Sequence, residues 1–363
     1  MLLVGTLAAA TPVAHRAELE ASWRTYVAEY VSSDGRVMDP SADSITTSEG
    51  QAYGMVRAVW ANDAPTFERL RQWTRDNLQS GDPTALPAWR WGRRGDGTWG
   101  ILDSSPAADA DQLIAWALLA AGERWGDKGH HQQAIGLLHQ IWDQEVAQVG
   151  KRRVMLPGAW AANQSPIIVN PSYFLPFAWR VFARVDRVHP WASLVNDGYA
   201  VWTESLSPTG LPPDWTWLDP TTGAVTAPPP GEEGRRTFGF EAFRVLWTLA
   251  ADARWYGDPR AHALLRRADP LIADWKADGV LPARISWGGT PAVDWSFLGM
   301  YGALLPAWAL SAPDDAQRLY DTVIAPARDQ DGWGSPGDYY TQNWVWLGLA
   351  LWSDLAKPPK GAR

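Results

Sequence analysis

The 363-residue sequence contains no cysteine, which excludes disulfide bridges, thiolate metal sites and cysteine nucleophiles. It also has no uninterrupted apolar run of about 18 or more residues, so we expect no membrane span. Basic residues are the minority, since 32 Lys and Arg stand against 40 Asp and Glu and give a net charge of −8. Phosphate backbones need a basic field, so this balance argues against nucleic acid as a partner.

Tryptophan, in contrast, occurs 25 times. Flat aromatic faces stack on sugar rings through dispersion and C–H contacts, so the surplus favours carbohydrate binding without naming a reaction. Six tryptophans fall inside apolar helical segments and are interpreted as core: Trp60, Trp116, Trp179, Trp247, Trp308 and Trp346. Six others fall in predicted loops and turns, and those of them at the cleft end are the better candidates for sugar platforms: Trp89, Trp91, Trp215, Trp217, Trp287 and Trp333.

The chain is interpreted as a single domain over residues 19–355. Residues 1–18 include the short apolar run MLLVGTLAAA without a cationic flank, which indicates either the remnant of an export signal or the lead-in to a first helix. An export signal predicts a periplasmic or secreted protein. Residues 356–363 are predicted to be a frayed tail. The Pro/Gly-rich stretch 207–237 holds two tryptophans, so we interpret it as a long functional loop within the domain.

Six segments share one design, in which a polar or aromatic cluster is followed by a helix that is apolar all round. Helices of that kind are buried, and more amphipathic helices lie between them in the sequence. The pattern predicts an all-α fold, an (α/α)6 barrel built as a double-layered toroid of about twelve helices. The segments are marked by Glu49, Asp109, Asn170, Glu241, Asp294 and Asp338.

The polar residues that open these helices would gather at one end of the barrel. Helix N-termini carry partial positive charge that favours carboxylates, so we expect one cleft lined with acids and aromatic rings. Any single one of these polar residues could instead be an ordinary N-cap. Acids and aromatics without a metal motif indicate glycoside hydrolysis, which uses two carboxyl groups. Neither a cofactor nor a metal is expected.

The stretch GRVMDPSADSITTSEGQAYGM, residues 35–55, resembles the signature of glycoside hydrolase family 8. LPAWRWG, LDSSPAADADQLIAWALL, LPGAW, NPSYFLPFAW and PPDW follow in the order typical of that family. The resemblance implies an (α/α)6 barrel and inverting, endo-acting hydrolysis of β-1,4-linked glycans. It implies that Glu49 is the general acid and that Asp111, with Asp109 nearby, contacts the sugar at the cleavage point.

Within the family, the sequence resembles the periplasmic endoglucanases that accompany bacterial cellulose synthase. The resemblance therefore implies a β-1,4-glucan substrate, a periplasmic location and the cellulose synthase machinery as a partner. It also implies aromatic subsites at Tyr173 and at Trp89 or Trp91, and an arginine, Arg244, beside the base. The substrate-binding residues we expect are Asp109, Trp89, Trp91, Tyr173, Arg244, Trp215, Asp294 and Tyr339.

The sequence departs from the family at the position of the general base. The cellulase branch has a Tyr-Asp-Ala-x-x-Arg segment, where this chain has Phe240-Glu241-Ala242-Phe243-Arg244. A glutamate can still activate water, but its longer arm could crowd that water. Three hypotheses stay open: Glu241 is the base, the base is another acid such as Asp294, or the protein binds glycan with weak turnover.

Two further alternatives concern the substrate. The same family chemistry could act on chitosan or xylan instead of glucan. A cationic chitosan would favour additional acids in the cleft, for which Asp294 and Asp338 are the candidates.

Overall fold

The computed structural model describes residues 12–330, 332–335 and 337–360. Helices dominate this part of the chain because its apolar residues recur at helical spacing. The α-helices are, in order, α1 (Pro12–Tyr30), α2 (Ser48–Ala61), α3 (Ala64–Asn77), α4 (Ala108–Trp125), α5 (Lys128–Glu145), α6 (Pro176–Val185), α7 (Trp191–Ser205), α8 (Ala242–Tyr256), α9 (Pro259–Arg267), α10 (Pro270–Asp278), α11 (Leu298–Ser311), α12 (Pro313–Leu319) and α13 (Tyr339–Trp352).

These helices form two layers, and the predicted (α/α)6 barrel is confirmed. The six predicted apolar helices, α2, α4, α6, α8, α11 and α13, make the inner ring, and the remaining helices pack against them from outside. The ring closes between its first and last members, where Arg57 of α2 donates to Asn343 of α13 at 2.9 Å. The six tryptophans interpreted as core are all buried.

The segments between the helices form short antiparallel strands. They are β1 (Thr46–Thr47), β2 (Arg90–Arg93), β3 (Trp99–Asp103), β4 (Val146–Val149), β5 (Arg152–Met155), β6 (Ile167–Val169), β7 (Thr216–Leu218), β8 (Val225–Thr226), β9 (Arg328–Asp329) and β10 (Gly332–Trp333). The sheet β1-β2-β3 pairs Thr46 with Trp91 and leads directly into α2. The sheet β6-β7-β8 ties the 207–237 loop to the segment before α6.

The fifth inner helix begins later than predicted, whereas the sixth begins where the sequence predicts. Asp294 was expected at the head of the fifth inner helix, but α11 begins at Leu298 and Asp294 lies exposed in the preceding loop. Asp338 caps α13 by accepting from the Thr341 backbone N–H at 3.0 Å. Its role as an N-cap therefore explains why an aspartate is found at position 338.

The C-terminal segment is not frayed where the structure describes it. The indole of Trp60 donates to the Lys357 carbonyl at 3.0 Å, and the Lys360 N–H donates to Glu123 at 2.7 Å. A buried indole N–H needs an acceptor, and the chain end supplies it. The prediction of a frayed tail is thus wrong for 356–360, and 361–363 lie outside the described residues.

The N-terminal residues were interpreted as the remnant of an export signal or as the lead-in to a first helix, and the structure describes only part of them. Residues 12–18 belong to α1, whereas 1–11, which carry most of the apolar run, lie outside the described residues. Across the described helices, none combines the length and apolarity needed to cross a bilayer.

Candidate active site

The candidate site is organised around Arg244, in the first turn of α8. Its side chain is only 4% exposed, and Nη1 donates to Glu49 Oε1 at 2.6 Å and to Asp109 Oδ2 at 3.1 Å. Nη2 pairs with the carboxylate of Glu241. A guanidinium stays protonated in proteins, and the three surrounding carboxylates pair with this buried positive charge. The predicted gathering of acids at the helix N-termini is observed.

Glu49 lies in the first turn of α2. Thr47 caps this helix by accepting from the Gly50 N–H at 3.0 Å. The Tyr53 hydroxyl donates to Glu49 Oε1 at 3.0 Å, which is the same oxygen that Arg244 holds. Because both donors bind Oε1, Oε2 is left without a described hydrogen-bond donor. The Glu49 side chain is 23% exposed and so reaches the cleft.

Glu241 lies immediately before α8 and is held from the side of α6. Its Oε2 accepts from Asn170 Nδ2 at 2.9 Å and from Ser172 Oγ at 3.3 Å, in addition to its pairing with Arg244. No described donor contacts Oε1. With 30% of its side chain exposed, Glu241 is open to the cleft in the same way as Glu49.

Asp214, in the long loop, fixes the backbone at Glu241. Its Oδ1 accepts from the N–H groups of Gly239, Glu241 and Ala242 at 3.1, 3.0 and 2.8 Å, and Oδ2 accepts from Thr237 Oγ1 at 2.9 Å. A carboxylate on the first N–H groups of a helix satisfies donors that otherwise have no partner. The 207–237 loop thereby positions the entry to α8.

We expect Asp214→Ala to lower kcat by roughly 10- to 100-fold, because displacing a reacting carboxylate by about 1 Å can cost that much in rate. Loss of the cap should also cost about 1–2 kcal/mol of unfolding free energy. Asp214→Asn retains an oxygen acceptor and is the matched control, which should keep most of the rate. Steady-state kinetics with thermal unfolding measure both effects, and an unchanged kcat in Asp214→Ala would contradict the positioning role.

The two acids of the DAD stretch point in different directions. Asp109 contacts Arg244 and is 6% exposed, whereas Asp111 is fully buried at 0%. Residues two apart on a helix point about 200° away from each other, so only one can face the cleft. The prediction that Asp111 contacts the sugar is therefore wrong, because Asp111 is buried, and Asp109 is the acid of this pair that faces Arg244. Burial raises the pKa of Asp109 to about 7, with Glu49 adding to the shift and Arg244 opposing it.

Asp111 instead forms a buried carboxyl pair with Glu145, the last residue of α5. Burial raises the pKa of Glu145 to about 8. Burial, followed by the nearby negative charge of Glu145, holds the pKa of Asp111 well above its ordinary value. Two carboxyls in one dry site cannot both ionise cheaply, so the pair retains a proton at neutral pH.

This pair should make folding stability depend on pH. The folded protein holds a proton that the unfolded chain releases above the ordinary Glu pKa of 4.5, so unfolding free energy falls as pH rises from there to about 8. Glu145→Gln should give a shallower fall, and the exposed Glu20→Gln is the control with the wild-type slope. Urea unfolding between about pH 5 and 9 measures this, and equal slopes in all three proteins would refute the shared proton.

Tyrosines form the wall around the guanidinium. The Tyr173 ring lies with its centre 5.4 Å from the Arg244 guanidinium carbon, as expected for a cation–π contact. Tyr340, which the sequence analysis missed, donates its hydroxyl to the Phe240 carbonyl at 3.1 Å. The predicted substrate-binding residue Tyr339 is mostly buried, so its ring supports α2 near Gly50 more than it offers a sugar surface.

The loop tryptophans divide into covered and open rings. Trp91 stacks on Trp99 with ring centres 5.2 Å apart, so one of its faces is occupied, and Arg36 lies about 5 Å from both rings. Trp217 and Trp333 are buried in small sheets, and their interpretation as sugar platforms is wrong.

Trp89 and Trp215 remain partly exposed. The Trp89 carbonyl accepts from the Ser48 N–H at 2.9 Å, one residue from Glu49. Trp215 lies 6.5 Å from Tyr173, with Arg235 over one face at 4.3 Å. Asp294 is exposed in its loop, and the described ion pairs of Arg244 do not include it. The structure thus brings Glu49, Asp109, Tyr173, Arg244 and Glu241 together, but not Asp111 or Asp294.

Two partly exposed carboxylates bridged by one buried arginine lie at the N-terminal end of the inner ring, with aromatic side chains beside them. Carboxyl pairs of this kind cleave glycosidic bonds, one as proton donor and one as base or nucleophile. The fold and the site together define a glycoside hydrolase with a helical-barrel scaffold.

The chain belongs to the glycosyl hydrolases family 8, whose family model matches residues 1–285. It is 36% identical over 291 residues to an endoglucanase of Salmonella typhi, covering 78% of this chain and 76% of the relative. It is 35% identical over 325 residues to an endoglucanase of Xanthomonas axonopodis pv. citri, covering 84% and 81%. Its structure resembles the endo-1,4-D-glucanase of Vibrio fischeri ES114 with a TM-score of 0.78 at 29% identity, covering 92% and 94% of the two chains.

Proposed function

We propose that this protein is an inverting endo-β-1,4-glucanase that hydrolyses cellulose-like chains, with Glu49 as general acid and Glu241 as general base. The observation that carries the proposal is the single guanidinium of Arg244 bound to both carboxylates. The endoglucanase relatives support a glucan substrate.

The shared guanidinium sets an upper limit on the spacing of the two acids that admits both inversion and retention, and inversion is what the family resemblance implies. Glu49 and Glu241 bind the two terminal nitrogens of the Arg244 guanidinium. Two hydrogen-bond lengths plus the distance between these nitrogens place the two bound oxygens at most about 8 Å apart. Inverting enzymes hold their carboxyls roughly 6.5–9.5 Å apart to admit a water molecule. The free oxygens, Oε2 of Glu49 and Oε1 of Glu241, are those left for the leaving group and the water.

In the proposed reaction, Glu49 gives its proton to the glycosidic oxygen as the bond to the anomeric carbon breaks. Glu241 removes a proton from water, which attacks that carbon from the opposite face and inverts its configuration. Asp109 contributes a hydrogen bond to the sugar at the cleavage point while it holds Arg244 in place. Tyr173, Trp89 and Trp215 supply aromatic surface on which neighbouring sugars stack.

The longer arm of Glu241 is accommodated by its supports. Asp214 fixes its backbone, while Asn170 and Ser172 anchor Oε2. The longer side chain of a glutamate could occupy the site of the attacking water, where an aspartate would not. Because Glu241 is held by Asp214, Asn170 and Ser172, its carboxylate stays out of that site.

The substrate is tested with purified protein on soluble cellulose derivative, xylan and chitosan, with reducing ends assayed. We expect hydrolysis of the glucan, with a fall in viscosity that outpaces the release of reducing ends, because cleavage is internal. Preference for chitosan or xylan would overturn the glucan assignment. Retained glycan binding without turnover on any of the three would overturn the enzymatic proposal.

We also propose that the protein works in the periplasm or outside the cell, beside a cellulose synthase machine. The apolar run at residues 1–10 and the resemblance in the 35–55 signature support this. Cell fractionation of the full-length protein tests the location, and recovery only from the cytosolic fraction would contradict it.

A further inference from the structure

A cluster of metal-ligating side chains lies at the end of the barrel opposite the active site. His139 comes from α5, and Asp186 and His189 come from the turn between α6 and α7. One ligand atom from each lies within 4.8 Å of the others. Asp186 follows the C-terminus of α6, whereas the Arg244 cluster lies at the inner-helix N-termini, so the two sites are separate.

Asp186 is a fixed buried anion. Its side chain is fully buried, and its Oδ2 accepts from Trp191 Nε1 at 2.8 Å while Oδ1 accepts from the Val188 N–H at 2.9 Å. The cluster therefore contains a held carboxylate of the kind that divalent metals use as a ligand.

The two histidines are placed on either side of this carboxylate. His189 Nδ1 lies 2.7 Å from Asp186 Oδ2, and His139 Nε2 lies 3.5 Å from Oδ1. Trp142 stacks on the His189 ring at 5.2 Å and limits its rotation. His139 is 39% exposed, which gives a metal ion a route in from solvent. Asp143, one turn after His139 on α5, places Oδ1 3.9 Å from His189 Nε2 and adds negative charge at the rim.

We propose that His139, Asp186 and His189 bind a divalent transition metal of the zinc class, with water completing the coordination. Two imidazoles and a carboxylate form a ligand set that suits zinc and its neighbours, and calcium or magnesium would require mainly oxygen ligands. Ligand atoms around a tetrahedral zinc stand roughly 3.4 Å apart. His139 must therefore move closer, which rotation of its exposed side chain allows, while the 2.7 Å hydrogen bond between His189 Nδ1 and Asp186 Oδ2 must open and release its proton to solvent.

The bound metal would join α5 to the α6–α7 turn and stabilise the fold by mass action, since the unfolded chain has no preformed site. The competing explanation is that Asp186 serves only as a hydrogen-bond acceptor for the turn and both histidines. The two explanations differ in metal affinity, because a plain hydrogen-bond hub gives no saturable binding at one site.

The test uses full-length, tag-free protein stripped with a chelator and dialysed. Zn²⁺ binding is followed by calorimetry and thermal unfolding, and Co²⁺ binding by its visible absorption. We expect one Zn²⁺ per chain, a raised Tm, and a Co²⁺ spectrum of low coordination number. His139→Gln and His189→Gln should each weaken binding by at least about 100-fold.

His262→Gln, on α9 outside the cluster, is the matched control and should bind as the wild type does. Because His139 is on the surface, its variant should fold even if that of His189 does not. Absence of saturable one-site binding in the wild type would overturn the proposal. So would equal Zn²⁺ affinity in the wild type and His139→Gln.

Discussion

Glu49→Gln should lower kcat on soluble β-1,4-glucan by about 10³-fold or more, because the amide cannot donate the proton that the departing oxygen needs. Glucan affinity should stay near the wild-type value. The amide oxygen of glutamine can still accept from Tyr53 and Arg244, which hold Oε1 in the wild type. Steady-state kinetics give the rate, and calorimetry with a cello-oligosaccharide gives the affinity.

The leaving group provides an internal control for this assignment. An aryl cello-oligosaccharide with an acidic phenol departs without protonation, so the loss in Glu49→Gln should shrink markedly on that substrate. Glu20→Gln, an exposed position on α1, should behave as the wild type on both substrates. A loss in Glu49→Gln that is equally large on both substrates would be inconsistent with a general acid.

Glu241→Gln should also lower kcat by about 10³-fold, but to the same extent on both substrates, because water must be activated whichever group leaves. The glutamine can still accept from Asn170 and Ser172, so the cleft should keep its shape. Glu241→Asp keeps a base on a shorter arm and should retain measurable activity. The contrast between the two leaving-group profiles separates the acid from the base.

Asp294 is the matched control for the base. It is exposed in its loop and outside the ion pairs of Arg244, so Asp294→Asn should keep near-normal kcat. The reverse pattern, a rate lost in Asp294→Asn and kept in Glu241→Gln, would move the base to Asp294.

The sequence predicted most about those parts of the site that belong to a local pattern, namely the inner helices and the polar residues at their N-termini. Apolar helices at regular intervals predicted the inner ring, and the polar residues that open them predicted one end as the cleft. Glu49 was identified from its motif. Tyr53 could have been identified too, since a residue four positions after Glu49 shares its helix face.

Other features depended on contacts between distant segments. Asp214 and Asn170 reach Glu241 from 27 and 71 residues away, and no local spacing reveals such contacts. Asp109 and Asp111 were ranked by resemblance, and only the rotation of α4 decides which one faces Arg244. The docked tail followed from the need of the Trp60 indole for an acceptor, which is visible only once that indole is known to be buried.

The configuration of the first product tests the central claim most directly. A cello-oligosaccharide is mixed with enzyme in D₂O, and the anomeric proton of the new reducing end is followed by NMR before mutarotation. If Glu241 activates water opposite Glu49, the α-anomer appears first and the β-anomer grows in later. Initial appearance of the β-anomer would show retention through a covalent intermediate, and would contradict the assignment of Glu241 as a base.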